Sequence, residues 1–161
     1  QVRALNLGTE LTLTQTIAVY LEGTLPSKSL QYVRSELRFY VNHDGTMRQY
    51  ISAEHQYMEQ HFSYKDSIDI GSAYLKEYRM AKYLNTLRVK FGWQKELGAN
   101  VSYDAYVGIG IRERNAHIFG LTEEEITQRA IGSPERASFL DPGTYCVPNI
   151  ALGIRICVGI L

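Results

Sequence analysis

The chain has 161 residues with 17 basic and 17 acidic side chains, so it has one domain's worth of length, residues 1–161, and no net field that would draw it to nucleic acid. Its longest mainly apolar run, 149–161, is interrupted by Asn149, Gly153 and Arg155, short of the ~18 to 20 apolar residues a membrane helix needs. A closed membrane-spanning sheet is not excluded, because its hydropathy per strand is weak and the mean stays unremarkable at −0.22.

Val2 to Leu11 sets Leu5, Leu7, Thr9 and Leu11 against Ala4, Asn6, Gly8 and Glu10, the period-two pattern of a strand with two unlike faces. These opening residues lack a charged region followed by an apolar one, so they are not a signal peptide, and any export signal lies outside this sequence. A tight turn near Leu13 to Gln15, without glycine, leads into a second strand, Thr16 to Gly23. Gly23 to Lys28, containing Pro26, reads as a loop.

Leu30 to Asn42 is the third predicted strand, with Val33, Leu37, Phe39 and Val41 on one face and Tyr32, Arg34, Glu36, Arg38 and Tyr40 on the other. Asn42-His43-Asp44-Gly45 then forms the strongest turn signal in the chain. Arg48 to about Gln60 returns as a fourth strand, in which His55 and Glu59 interrupt the apolar face. Phe62 to about Lys82 shows no sustained period and is expected to be a long connection, with a helical turn around Ala73 to Tyr78. Leu84 to Gln94 is the fifth strand, and Lys95 to Asn100 a short turn.

Ser102 to Arg114 is the clearest element. Tyr103, Ala105, Val107, Ile109 and Ile111 face one way, while Asp104, Tyr106, Gly108, Gly110, Arg112 and Arg114 face the other. The insertion Asn115 to Val147 contains Thr122-Glu123-Glu124-Glu125, a capping box that predicts a short helix, and Pro134 and Asp141-Pro142-Gly143 break the chain after it. Asn149 to Leu161 closes with Ile150, Leu152, Ile154, Ile156, Val158 and Ile160 against Ala151, Gly153, Arg155, Cys157 and Gly159. On such a strand Cys146 and Cys157 stand roughly 35 Å apart, too far to bridge, so both are expected to be free.

Seven long two-faced strands with alternately short and long connections predict an all-β, antiparallel up-and-down transmembrane β-barrel with a short helix in its last long loop. Short turns near 14, 43–46 and 95–100 would lie on the periplasmic side. Because bacterial barrels of this class have an even strand number, eight are expected, with the first preceding Gln1. An eight-stranded barrel is filled by its own side chains. Arg34, Glu36, Arg38, Glu54, Arg88, Lys90, Asp104, Arg112, Arg114 and Arg155 are therefore expected to form an interior polar network, with glycines 92, 108, 110, 153 and 159 making room for the arginines. The load of 12 Tyr suits a boundary between apolar and wet surroundings.

N-L-G-T-E-L (6–11), E-L-R-F-Y-V (36–41), D-A-Y-V-G-I-G-I-R-E-R (104–114) and P-N-I-A-L-G-I-R-I-C-V-G-I-L (148–161) resemble an uncharacterised family of small outer-membrane β-barrel proteins of Gram-negative bacteria. The resemblance spans most of the chain and implies a location, the bacterial outer membrane; it brings no catalytic residues. Leu161 departs from the aromatic residue that usually ends such strands.

The four histidines, 43, 55, 61 and 117, do not have metal-ligand spacing, and neither a nucleophile elbow nor a phosphate loop is visible, so neither enzymatic activity nor a cofactor is expected. His55 and Glu59 face the lipid side, where ionisable groups are costly. They mark either a strand that outruns the membrane or a face that contacts another protein of a larger outer-membrane complex. Two other readings share the alternation: a soluble lipocalin-like barrel with its apolar face inward, and an outer-membrane lipid-modifying enzyme.

Overall fold

The computed structural model describes residues 6–24, 30–44, 47–98, 101–128 and 142–158. Strands β1 (Asn6–Thr12), β2 (Ile17–Thr24), β3 (Leu30–Asp44), β4 (Met47–Asp69), β5 (Ala73–Gly98), β6 (Val101–Phe119) and β7 (Gly143–Val158) form one antiparallel up-and-down sheet in chain order. A helix, α1 (Glu123–Gln128), precedes β7. Among the described residues β1 and β7 do not pair, so the sheet has two free edges. No helix among them is long and apolar enough to cross a membrane.

The turn after β1 manages without glycine because Thr14 does the work with its side chain. Its Oγ1 accepts from the N–H groups of Thr16 (3.2 Å) and Ile17 (3.1 Å), while Leu13 N–H donates to the Ile17 carbonyl at 2.9 Å. The β3–β4 hairpin pairs as far as Asp44 and Met47, and Gly45 of the predicted turn lies outside the described residues. So do the predicted breaks at Pro134 and Asp141 and the carboxyl-terminal Leu161.

The expectation of a long irregular connection over 62–82, with a helical turn at 73–78, is wrong. β4 and β5 instead run on together, paired from Met47↔Lys95 to Asp69↔Ala73, and close through Gly71 at φ 73°. The period was hidden because its phase inverts. Below Tyr57 the odd positions of β4 include the exposed apolar Met47, Ile51 and Ala53, with Gln49 and His55 as polar exceptions, while Ser52, Glu54 and Gln56 at even positions are buried; beyond Gln60 the odd positions are His61, Ser63, Lys65, Ser67 and Asp69, and the even ones include Phe62, Tyr64 and the buried Ile68. β5 inverts likewise, from Leu87, Val89 and Phe91 outside to Met80 and Tyr78 inside. β6 follows, with Ile111 outside giving way to Glu113, Asn115 and His117.

The predicted capping box forms. Thr122 Oγ1 accepts from Glu125 N–H at 3.3 Å and Glu125 Oε2 accepts from Thr122 N–H at 2.7 Å, so two orphan amide donors at the helix start are satisfied. The same carboxylate takes Lys76 Nζ at 2.6 Å and Tyr74 Oη at 2.7 Å, which ties α1 to the outer end of β5.

Candidate functional site

The even-numbered residues of β1 to β6 and the odd-numbered ones of β7 share one face, and there the charges converge. Asp104 on β6 accepts from Arg38 Nη2 of β3 at 2.9 Å and from Tyr50 Oη of β4 at 2.7 Å, and pairs with Arg155 Nη2 of β7 at 3.1 Å. Glu36 pairs with Lys90 Nζ at 2.6 Å, Arg38 Nε at 3.2 Å and Arg155 Nη2 at 3.3 Å. Glu54 holds Lys90 Nζ at 2.7 Å and Arg34 Nε at 3.7 Å, and also pairs with Arg88. At the rim, Glu10 meets Arg38 Nη1 at 2.8 Å and Glu22 meets Arg34.

These distances fix the curvature. β3 and β7 are four strand spacings apart, roughly 19 Å on a flat sheet, yet Arg155 touches Glu36 and places its guanidinium 4.9 Å from the Tyr20 ring of β2. The sheet therefore curls around its polar face. The five carboxylates Glu10, Glu22, Glu36, Glu54 and Asp104 meet the five cations Arg34, Arg38, Arg88, Lys90 and Arg155, so the cluster is internally neutral. Buried charges are tolerable only with such pairing, and removal of one partner leaves the other stranded.

Eight of the ten residues expected in an interior network come together in this cluster. Arg112 and Arg114 do not join it: Arg112 Nε donates to Thr86 at 3.4 Å, and Arg114 lies 4.9 Å from the Tyr145 ring. Glu10 and Glu22 were missed as members, although both stand at even positions of β1 and β2, on the polar face. So were three tyrosines. Arg155 sits between Tyr20 and the Tyr106 ring (4.6 Å), Lys90 lies 4.4 Å from Tyr106, and Arg38 lies 4.6 Å from Tyr50. Arg155 Nε and Nη1 are buried without a hydrogen-bond partner, and the two rings are what they face.

The same tyrosines correct the expected role of the glycines. Gly92, cross-strand neighbour of Tyr50, and Gly153, neighbour of Tyr106, lie directly beneath those rings, so the space they leave is taken by phenols rather than by arginines. At Gly108 and Gly110 the space is taken by the stems of Lys90 and Arg88.

The opposite face is apolar and bare. Ile109 is 70% exposed, Leu152 84% and Val89 59%. His55 is exposed on this face, between Ser35 and Leu87 in register. Glu59 lies further along β4 and has partners of its own, Tyr57 Oη at 3.4 Å and His61 Nε2 at 2.7 Å. Cys146 is free and exposed. No family model, no curated protein and no solved structure matches the chain.

Proposed function

We propose that this chain is an integral outer-membrane β-barrel with a filled polar interior, serving as a structural or accessory subunit of a larger outer-membrane complex. The observation that carries this reading is the inversion of polarity that β4, β5 and β6 share close to the register row Glu59–Tyr83–Asn115. On the Trp93 side of that row the outward face is mainly apolar, with His55, Asn85 and Glu113 as exceptions, and on the other side it is mainly polar, with Leu75 and Phe119 as exceptions. A strand leaving hydrocarbon for water has to change its outer side chains in this way.

The spacing supports it. From Tyr83 to Trp93 on β5 is about 33 Å of strand, which at a tilt of ~40° gives a band ~25 Å tall, the apolar height of outer-membrane barrels. Aromatic residues stand at both limits: Tyr57 and Tyr83 above, Trp93 and Tyr103 below. A lipocalin-like barrel requires the opposite exposure, with Ile109 and Leu152 inside and the arginines wet. The curl brings β7 side chains to β2, so one further strand between the β1 and β7 edges would close the barrel. Its interior, packed with paired charges, leaves no open pore.

The accessory role rests on His55, an exposed imidazole on a face made mainly of Leu, Val, Ile and Phe. Glu59 lies on the boundary row, so its place follows from the strand outrunning the lipid. Fractionation of cells exporting the protein tests the location: it should resist extraction by salt and alkali and leave the membrane only in detergent. A protein that is monomeric in buffer without detergent would refute it. His55→Leu should abolish co-purification of a partner from native membranes while the barrel stays folded; an unchanged complex would remove the subunit role.

A further inference from the structure

The outward residues of β3 and β4 stand side by side in the register pairs Gln31↔Glu59, Val33↔Tyr57, Ser35↔His55 and Leu37↔Ala53. Their sizes are opposed within each apolar row. Val33 and Ser35 are the small members beside Tyr57 and His55, whereas Leu37 is the large member beside Ala53. The small residues leave a depression of about 480 Å³ on the outer face, whose lining includes Ser35, Leu37, Ala53, His55, Leu87 and Val89.

This depression lies inside the apolar band, because His55 is in register with Leu87, between the band limits Tyr83 and Trp93. No described residue hydrogen-bonds the exposed His55 ring. Hydrocarbon offers an imidazole neither donor nor acceptor, so a polar side chain at that depth is costly until another protein group meets it.

We propose that the chain forms a two-fold homodimer through this β3–β4 face, with Ser35 of each copy paired to His55 of the other. The dimer rests on the outer-membrane placement and makes a second copy the partner that His55 contacts. Two copies inserted in the same sense are related by an axis along the membrane normal. With that axis between β3 and β4, the outward column of β3 in each copy faces the column of β4 in the other. Register partners on strands tilted by ~40° differ in height by only ~3 Å, so the pairs found within one chain recur between chains. Each serine hydroxyl then donates to the facing imidazole, twice over. Leu37 of one copy enters the space above Ala53 of the other, Val33 lies against Tyr57, and the Gln31 amide donates to Glu59 at the edge of the band. A surface whose large and small residues are exchanged across its midline is complementary to itself, as an isologous contact requires.

Two copies with different tags are co-expressed, extracted in mild detergent and purified by one tag, and the other tag is measured in the eluate. Recovery of the second copy is expected, falling at least tenfold with His55→Leu and with Ala53→Phe, which occupies the space that Leu37 of the other copy enters. Ala53→Phe together with Leu37→Ala exchanges large for small and should restore recovery. Leu152→Phe, on the outer face of β7, should leave it unchanged, and circular dichroism in detergent shows that each variant is folded. A chain that needs detergent yet recovers no second copy, or recovers it equally with Ala53→Phe, overturns the dimer and leaves the membrane placement standing. Recovery of a different protein in place of the second copy has the same meaning. A chain that is monomeric in buffer without detergent overturns both.

Discussion

Nη2 of Arg38 on β3 lies 2.9 Å from Oδ2 of Asp104 on β6, both side chains wholly enclosed, across three strand spacings of the sheet. Asp104 also holds Arg155 and Tyr50, so one carboxylate links β3, β4, β6 and β7. Asp104→Asn should lower unfolding free energy by ~3 to 5 kcal/mol, the usual cost of stranding a buried charge. Urea titration of the refolded protein measures it. The double variant Arg38→Met with Asp104→Leu should be less damaging than the two single changes added together, because neither charge is left alone.

A second expectation concerns Tyr50 and Gly92. A methyl group at residue 92 would overlap the Tyr50 ring. Gly92→Ala should therefore destabilise by roughly 1 to 3 kcal/mol, the cost of overpacking. The same substitution in a Tyr50→Ala background should cost distinctly less. Equal costs in both backgrounds would show that the ring does not rest on the glycine.

The outer face gives a third. Leu152→Arg places a charge in the middle of the apolar band and should cost ~2 to 4 kcal/mol in lipid. Folding into vesicles of defined composition reads this out. Thr144→Arg on the same strand but beyond the band should be close to neutral.

The fourth is a pH dependence outside the band. The Lys76 ammonium, then the Thr122 amide and the Tyr74 hydroxyl, hold the Glu125 carboxyl at about 2, against an ordinary value of 4.5. A depressed acid stabilises most when ionised, so the docking of α1 on β5 is full above pH ~4.5 and is lost as pH falls toward 2. Amide exchange of residues 122–128, corrected for its intrinsic rate, should rise over that window. Glu125→Gln should raise it at neutral pH and flatten the profile.

What the sequence determined by itself was the two-faced character of the strands, their antiparallel up-and-down order, and the α1 capping box. These are local properties: period two is written into neighbouring residues, and a cap needs only Thr122 and Glu125. The continuation of β4 and β5 through 62–82 was not legible in that way. A search for one uninterrupted apolar face fails where the face changes sides, and only the pairing Asp69↔Ala73 shows that the backbone stays extended through the change.

The polar face was legible as a collection of charges but not as a set of pairs. Alternation says that Arg38, Asp104 and Arg155 share a face; it does not say that β3 comes within reach of β7. That depends on how far the sheet curls, which is set by glycines beneath tyrosines on neighbouring strands and by ion pairs between residues as distant as Glu36 and Arg155. Tertiary structure likewise decided that Arg112 stands outside the neutral cluster, because its neighbours Gln56 and Thr86 come from other strands and cannot be read from its own.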